Sequence, residues 1–432
     1  MSSRGTVQVA FGRGQLPLKI PRGAEVTIIR KAVLPKLPDQ RAAISRAFSQ
    51  PVGSASLAEL ARGKSSACIL ICDITRPVPN WLFLRPMIET MTSSGIPRSR
   101  ITVLVATGLH RPNEGAELAE LVGDPWVFDN VRVENHFARN DADHVNFGVT
   151  ATRGTPVKID RRFVEADLRV ATGLVEPHFM AGWSGGRKVV APGVAGHETI
   201  RTFHSARFME DPLAVQCNLV GNPLHEEQLE IVREIGDIYA LNTVIDEDRD
   251  LVYVTFGEII ASHQAAVDFV SRATKIAVPR KFKTVVTSSA GYPLDKTYYQ
   301  TVKGMVTPLD ILEPGGTLII ASECSEGFGS AEFRDAQRRL VELGPERFLA
   351  TISAKSLADI DEWQTEMQLK SMRVGNVVLY TTGLDAEERA ITGVEISDNL
   401  DEIVANSVLA HGDAAIAVIP EGPYVVPVHV PA

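Results

Sequence analysis

The chain has 432 residues, of which 44% are hydrophobic and 22% are charged. This length exceeds what one hydrophobic core usually supports, so we expect two domains, and the composition excludes a disordered or fibrous protein. The formal net charge of −9, with scattered basic residues, argues against nucleic acid or a membrane surface as a partner. The absence of a signal-peptide pattern and of a long apolar segment predicts a cytoplasmic protein.

The predicted elements begin with a hairpin of half-exposed strands near the N-terminus. Short apolar runs then alternate with helical segments, which is typical of mostly parallel sheets covered by helices. The predicted strands are Cys68 to Cys72, Ile101 to Ala106, Leu168 to Ala171, Val285 to Thr287, Leu318 to Ala321, Val377 to Tyr380 and Ala415 to Ile419. The predicted helices cover residues 56–61, 82–93, 223–236, 262–274 and 332–343. The expected fold class is therefore α/β, with two domains and the active site in the interdomain cleft.

A basic, proline-containing stretch at residues 273–283 is interpreted as a linker. Residues 1–272 would form an N-terminal α/β domain that carries the cofactor-binding and acid/base residues. Residues 284–432 would form a C-terminal α/β domain that closes over the substrate and excludes water. The sequence leaves open whether the last segment returns toward the N-terminal domain.

Polar loops follow three of the predicted strands, where open parallel sheets bind their ligands. These loops are Asp73-Ile-Thr-Arg-Pro, Thr107-Gly-Leu-His-Arg-Pro and Thr172-Gly-Leu-Val-Glu-Pro-His. Histidines at corresponding positions, His110 and His178, favour a shared acid/base role, and their spacing does not fit a conventional zinc site. Arg76 is suited to holding a carboxylate or phosphate, although Asp73 could merely cap a helix and pair with it.

The segment from Glu176 to Gly196 is the most informative, because it combines a histidine, a Ser-Gly-Gly turn and a lysine. Gly185 and Gly186 let backbone N–H groups turn toward a ligand, which indicates an anion-binding site. Lys188 is interpreted as a nucleophile or an anion clamp, with a solvated surface lysine as the alternative. For His204 a functional and a structural role are equally open.

The second half of the chain offers weaker signals. Gln300 and Lys303 share one face of a predicted helix that begins at Tyr298, so they could hold one ligand together. Trp363 is either a pocket wall or, more commonly for tryptophan, a core residue. The remaining histidines are interpreted as solvated or core residues: His136, His144, His197, His225, His263, His411 and His429.

Taken together, these motifs resemble the lactate racemase family, and the resemblance covers almost the whole chain. It rests on Asp73-Ile-Thr-Arg-Pro-Val-Pro, Ala106-Thr-Gly-Leu-His-Arg-Pro, Glu176-Pro-His, Gly182-Trp-Ser-Gly-Gly-Arg-Lys, Lys303-Gly-Met and Glu421-Gly-Pro-Tyr-Val-Val-Pro. That family uses a nickel-pincer nucleotide, in which a modified pyridinium mononucleotide holds nickel through two sulfurs and one carbon. A thioamide tethers this group to a lysine, and a histidine completes the nickel coordination.

The resemblance implies a racemase or epimerase that inverts carbon 2 of a 2-hydroxy acid by reversible hydride transfer through a 2-keto acid. It makes His110 and His178 the catalytic acid/bases, Lys188 the tether and His204 the nickel ligand. It implies that the other cofactor-binding residues are Asp73, Thr75, Arg76, Ser184, Gly185 and Gly186. The implied substrate-binding residues are Arg76, Tyr299, Gln300, Lys303 and Trp363, and the implied partners are cofactor-synthesis proteins.

The substrate and the competing functions stay open. Leu109 stands before His110 where lactate-specific members commonly have a small polar residue, so the resemblance does not specify lactate. A nicotinamide-dependent 2-hydroxy acid dehydrogenase is one alternative, although its G-x-G-x-x-G motif is missing. A non-catalytic nucleotide- or phosphate-binding protein and an unmetallated delivery protein for the cofactor are the others.

Overall fold

The computed structural model describes residues 5–246 and 248–431. Its strands, in chain order, are β1 (Thr6–Phe11), β2 (Gly14–Lys19), β3 (Glu25–Ile28), β4 (Ala67–Cys72), β5 (Ile101–Ala106), β6 (Arg132–Asn135), β7 (His144–Val149), β8 (Pro156–Asp160), β9 (Leu168–Leu174), β10 (Pro177–His178), β11 (Gly182–Trp183), β12 (Tyr239–Ile245), β13 (Leu251–Glu258), β14 (Lys275–Val278), β15 (Phe282–Ser288), β16 (Leu312–Ala321), β17 (Asn376–Tyr380), β18 (Glu395–Ser397), β19 (Ala415–Ile419) and β20 (Val426–His429).

The α-helices, in chain order, are α1 (Gln40–Ser49), α2 (Leu57–Ala61), α3 (Asn80–Ser93), α4 (Gly115–Val122), α5 (Pro125–Asn130), α6 (Arg161–Val164), α7 (Arg187–Val190), α8 (His197–Phe203), α9 (Ala206–Met209), α10 (Pro223–Ile235), α11 (Ile259–Thr274), α12 (Tyr298–Val306), α13 (Ala331–Leu343), α14 (Pro345–Ser353), α15 (Glu362–Val374), α16 (Ala386–Ala390) and α17 (Leu400–His411). Across the two described ranges, every helix falls short of the length and apolar character that crossing a membrane requires.

The chain forms two compact units. The unit that we call N-terminal comprises Val33–Phe203 and Pro212–Arg272. The unit that we call C-terminal comprises the chain up to Ala32, the short segment His204–Asp211 and everything from Ala273 onward. The segment His204–Asp211 therefore belongs to the C-terminal unit, although the residues before and after it in sequence belong to the N-terminal unit.

The N-terminal unit is built on a six-stranded sheet in the order β13-β12-β9-β4-β5-β6, parallel except for the β12–β13 pair. Its central strand β4 is almost continuously apolar because helices cover both faces of the sheet. Ile69 and Ile71 on this strand pack in a core with Phe83, Met87 and other side chains of α3. The sheet thus holds the loops after β4, β5 and β9 in neighbouring positions.

The C-terminal unit is built on a second six-stranded sheet, all parallel, in the order β18-β17-β16-β15-β19-β3. Its edge strand β3 comes from the start of the chain, with Glu25 opposite Ala415. The antiparallel hairpin β1–β2 packs Val7, Val9 and Leu18 into the core of this unit. The N-terminal strands β1, β2 and β3 therefore complete the sheet and the core that the C-terminal part of the chain forms.

The predicted fold class is confirmed as an α/β protein with two mostly parallel sheets flanked by helices, and all seven predicted strands are present. The stretch 273–283, expected to be a linker, instead contains strand β14, which pairs with β20 in the C-terminal unit. Residues up to Ala32, expected in the N-terminal domain, lie in the C-terminal unit, because β3 pairs with β19. The domain limits as independent folding units stay a prediction.

Candidate active site

Three loops with acid/base residues meet at one edge of the N-terminal sheet. Asp73 follows β4, His110 follows β5, and His178 follows β9. Strands β9, β4 and β5 are adjacent and parallel, so their carboxyl ends lie side by side. The topology therefore brings these three loops together.

Asp73 is the buried centre of the first two loops. Its Oδ1 accepts hydrogen bonds from the backbone N–H of Thr75 at 3.1 Å and from the Thr75 hydroxyl at 2.6 Å, which closes a tight turn. Its Oδ2 lies 2.6 Å from Nδ1 of His110. Burial alone would raise the pKa of Asp73, but His110, Thr75 and Arg76 outweigh it and hold the pKa below its usual value. The Asp73 carboxylate is thus ionised near neutral pH and accepts a hydrogen bond from Nδ1–H of His110.

The two histidines differ in which ring nitrogen carries the proton. Because the Asp73 carboxylate only accepts hydrogen bonds, Nδ1 of His110 is the donor, and in the neutral ring Nε2 holds the lone pair. In buried His178, Nδ1 instead accepts from the backbone N–H groups of Ala181 at 3.3 Å and Met180 at 3.5 Å. The neutral His178 ring therefore carries its proton on Nε2. The two rings therefore differ in the hydrogen-bonding role of Nδ1, which donates in His110 and accepts in His178.

Arg76 connects the first loop to the third. Its guanidinium forms an ion pair with Glu176, which is two residues before His178, and both side chains are largely buried. The sequence interpretation that Arg76 only pairs with Asp73 is therefore incomplete, because its direct partner is Glu176. A guanidinium has five N–H donors, so this pair leaves donors for a second anion.

The Ser-Gly-Gly turn is tightly enclosed. Gly185 has φ +77°, and a Cβ there would lie 2.7 Å from Val175. Gly186 has φ +49°, and a Cβ there would lie 2.8 Å from the side chain of His263. The Gly186 N–H donates to Oδ1 of Asn242 at 2.9 Å, and α7 begins at the next residue. Only glycine fits both positions, since the backbone approaches its surroundings too closely for a side chain.

Arg187, which follows the turn, does not contribute an exposed positive charge. It is 1% exposed, and it donates to the carbonyl of Ala181 at 2.9 Å and contacts Nε2 of His263 at 2.9 Å. Burial lowers the pKa of Arg187 to about 9. His263 Nε2 also lies 2.8 Å from the carbonyl of Ser184. The buried side chains of Arg187 and His263 therefore stabilise the Ser-Gly-Gly turn. Lys188, which follows, is half-buried on the first turn of α7.

A second buried histidine ties the His110 loop to the segment after Lys188. Nδ1 of His136 lies 2.9 Å from the Asp160 carboxylate, and Nε2 lies 3.1 Å from the carbonyl of Ala195. The Thr107 hydroxyl donates to the backbone carbonyl of His136 at 2.7 Å. The buried His136 ring therefore joins two loops of the site.

In the C-terminal unit, three of the predicted site residues form a connected group. The rings of His204 and Trp363 are 4.8 Å apart, and both side chains are buried. Tyr299 is in hydrogen-bonding contact with Trp363 and Asp361, and burial and then Asp361 raise the pKa of its hydroxyl well above the usual value. The structure thus brings the predicted metal ligand together with two predicted substrate-binding residues.

Gln300 and Lys303 lie on α12, as do Tyr298 and Tyr299. Thr297 caps the start of this helix, because its side chain accepts from the backbone N–H of Gln300 at 3.4 Å. Oε1 of Gln300 is buried without a hydrogen-bond partner in the part of the chain that the structure describes. A buried polar atom of this kind normally bonds a ligand or water.

Sequence reasoning missed the residues that hold the loops in place. His136 and His263 were interpreted as unspecific, yet each is buried among polar groups of the site. Asn242 was missed although it carried a signal, because it is a buried polar residue in an otherwise mostly apolar strand. The partner Asp160 offered no signal, since its role depends on the tertiary contact with His136.

The comparisons with known proteins agree over nearly the whole chain. The family model described as the lactate racemase N-terminal domain matches residues 11–216, and the one described as the lactate racemase C-terminal domain matches residues 279–427. With the α/β fold, these matches define an enzyme, an isomerase homologous to racemases. The chain belongs to the lactate racemase family.

Two curated relatives are both named lactate racemase. The one from Lactiplantibacillus plantarum is 32% identical over 391 residues, which is 90% of each chain. The one from Thermoanaerobacterium thermosaccharolyticum is 30% identical over 431 residues, which is 96% of this chain and 97% of the relative.

Two solved structures share the fold. The lactate racemase apoprotein from T. thermosaccharolyticum superposes with a TM-score of 0.89 at 28% identity, covering 98% of this chain and 99% of the other. A protein from Thermotoga maritima superposes with a TM-score of 0.68 at 18% identity, covering 92% of this chain and all of the other. The second likeness concerns the fold alone.

Proposed function

We propose that this protein is a racemase or epimerase that inverts carbon 2 of a 2-hydroxy acid, with a nickel-pincer nucleotide tethered at Lys188 as its cofactor. The observation that carries the proposal is the placement of His110 and His178, whose Nδ1 atoms make different hydrogen bonds, on loops at one edge of the sheet. Inversion through a planar 2-keto acid needs one group that takes the hydroxyl proton and another that returns a proton. Imidazole suits both tasks, because its neutral form accepts a proton and its imidazolium form donates one near neutral pH.

The residues present fit the cofactor. Lys188 lies two residues after the Gly185–Gly186 turn, which is too tight for side chains and fixes the start of α7. His204 offers an imidazole, a common ligand of nickel, beside Trp363. When bound, the nickel-pincer nucleotide supplies a soft electrophilic centre that takes a hydride from carbon 2 and gives it back.

Proton transfer is the task of the two histidines. Nε2 of His110 accepts the hydroxyl proton of one enantiomer, and the Asp73 carboxylate stabilises the resulting imidazolium. On the opposite face, the imidazolium form of His178 donates its Nε2 proton to the oxygen and becomes a neutral ring. The substrate thus loses and regains one proton and one hydride, and no net oxidation occurs. For the other enantiomer the two roles are exchanged.

The substrate carboxylate needs a cationic partner. Arg76 keeps N–H donors beyond its pair with Glu176, and Lys303 and Gln300 lie one turn apart on α12. The unpartnered Oε1 of Gln300 is available for the hydroxyl or for water. A site that uses these residues together, in a cleft between the domains, stays a prediction.

The proposal is tested with protein co-produced with the cofactor-synthesis proteins. Intact-protein and peptide mass spectrometry should show an adduct on Lys188, and elemental analysis should show one equivalent of nickel. A panel of single-enantiomer 2-hydroxy acids carrying deuterium at carbon 2 should racemise with the deuterium retained, because the hydride returns to the carbon that it left. Deuterium washed out to solvent, or an unmodified Lys188 without nickel, would overturn the proposal. Substrate-dependent reduction of NAD would support the dehydrogenase alternative.

A further inference from the structure

We propose that Arg373 and Lys370 on α15 are positioning residues that hold the segment His204–Asp211, and with it the imidazole of His204. The inference rests on the proposed function for the role of His204, but the positioning itself rests on contacts within the C-terminal unit. None of the sequence patterns pointed to Arg373 or Lys370. The segment lies in the first half of the sequence, whereas α15 lies 150 residues further along.

The far end of the segment is held by charge. Both terminal nitrogens of Arg373 donate to the carboxylate of Glu210, at 2.7 Å and 3.0 Å. Such a two-pronged pair fixes direction as well as distance. The ammonium of Lys370 donates to the backbone carbonyl of Met209. The last turn of α9 is therefore fastened to α15 through both a side chain and the main chain.

A buried acid on α15 supports this arrangement. Burial, and then the carboxylate of Glu210, raise the pKa of Glu366, so that its protonated form can donate to Glu210. A protonated Glu366 removes the repulsion that two neighbouring carboxylates would otherwise cause. Glu210 is thus held by Arg373 and Glu366, both on α15.

The near end of the segment is held by packing. The ring of His204 lies against Trp363 on the first turn of α15, with the ring planes inclined by 38°. Ala206 packs in a small apolar core with Leu340, Phe348 and Leu369. Trp363 and Arg373 are ten positions apart, roughly 15 Å along the helix, so α15 supports the segment over its whole length.

The segment cannot hold this geometry by itself. Helix α9 has four residues, and an isolated helix of that length is unstable in water. The direction of the His204 ring must therefore be fixed by the surface on which the segment lies. Lys188 belongs to the other compact unit, so a change on α15 should affect nickel retention without affecting the covalent tether.

The test compares Arg373→Gln with Arg338→Gln in enzyme co-produced with the cofactor-synthesis proteins. Arg338 is a matched control, because it is an exposed arginine of α13 that pairs with Asp335 and Glu387 on the surface. Hydrogen exchange of the peptide that covers residues 204–211 should become about tenfold faster in R373Q and stay unchanged in R338Q. R373K, which keeps the charge but not the two-pronged geometry, should fall between R373Q and the wild type.

Three further measurements separate positioning from general destabilisation. After dialysis against EDTA, R373Q should lose most of its nickel while mass spectrometry still shows the adduct on Lys188. Its kcat should fall at least about tenfold while KM stays within about threefold, because the substrate contacts are untouched. If R373Q does not fold, Glu210→Gln tests the same pair from the other side.

Exchange and nickel retention in R373Q equal to those of R338Q would overturn the inference. A wild-type enzyme without the Lys188 adduct would instead contradict the proposed function. The exchange comparison would still decide whether α15 holds the segment, so the two failures are distinguishable.

Discussion

Asp73 shows how a single buried carboxylate can fix the orientation of a neighbouring histidine. It is 6% exposed, and its two oxygens are divided between the Thr75 turn and His110. The first contact fixes the carboxylate, and the second fixes the ring of His110 and its proton. Losing the charge should therefore affect His110 more than it affects the fold.

We expect Asp73→Asn to lower kcat about 100-fold, which is the lower range for loss of a general base, and to leave KM within about threefold. The neutral amide cannot stabilise the imidazolium that forms on His110. Steady-state racemisation assays in both directions provide the measurement. Asp129→Asn, at an exposed position on α5, is the control and should behave like the wild type. A D73N enzyme with wild-type kcat would exclude His110 as the base that Asp73 supports.

The second prediction at this scale concerns Gly186. Its backbone, at φ +49° and ψ −123°, disfavours any side chain, and a Cβ would also meet His263 at 2.8 Å. We expect Gly186→Ala to lower the free energy of unfolding by about 3 kcal/mol, from backbone strain and overpacking together. Gly115→Ala has a similar φ of +55° with open space around it, so it should lose only about 1 kcal/mol. Urea denaturation of both variants gives the comparison, and equal losses would show that the contact with His263 is unimportant.

At the scale of elements, the sequence predicted the strands and loops that have a local pattern of apolar and polar residues. Strands such as β4 and β19 are continuous apolar runs, and the loops after β4, β5 and β9 stand out as polar. It could not predict β3, a four-residue strand of mixed polarity, because its identity depends on pairing with Ala415 and its neighbours. Nor could it predict the contacts of His136, because the partners Asp160 and Ala195 are distant in sequence.

The pairing of Asp160 with His136 makes a prediction about acid stability. Burial alone would raise the pKa of Asp160, but hydrogen bonds from His136 and Arg162 lower it from 3.8 to about 2. Because the pKa of Asp160 is lower in the folded than in the unfolded protein, its ionised form stabilises the fold at pH values above the unfolded-state pKa. This stabilisation is lost as the pH falls from about 4 to about 2. In urea denaturation, Asp160→Asn should be less stable than the wild type at pH 7, and this difference should shrink by about 2 kcal/mol at low pH. A constant difference would show that Asp160 is not ionised in the folded protein.

At the scale of the whole molecule, the chain passes between its two compact units four times, after Ala32, Phe203, Asp211 and Arg272. A cut at the last of these points does not separate them. The C-terminal unit would lose β3 from its sheet edge and Val7, Val9 and Leu18 from its core. The unit is therefore not a continuous stretch of sequence.

We expect a fragment of residues 273–432 to lack cooperative unfolding, because exposing the apolar surface that the hairpin covers leaves the core incomplete. The same fragment with residues 1–32 attached through a flexible Gly/Ser linker should unfold in one cooperative transition at higher temperature. Near-ultraviolet circular dichroism during thermal unfolding distinguishes the two. A 273–432 fragment as stable as the linked one would show that the first strands contribute little.

Because Glu25 pairs with Ala415, strand β3 cannot join its sheet until almost the whole chain has been synthesised. At ribosomal rates of 5 to 20 residues per second, β3 waits roughly 20 to 80 s before β19 is made. During that interval an unpaired strand is a site for wrong association between nascent chains. Its shortness and the charge of Glu25 limit that hazard until the last strands emerge.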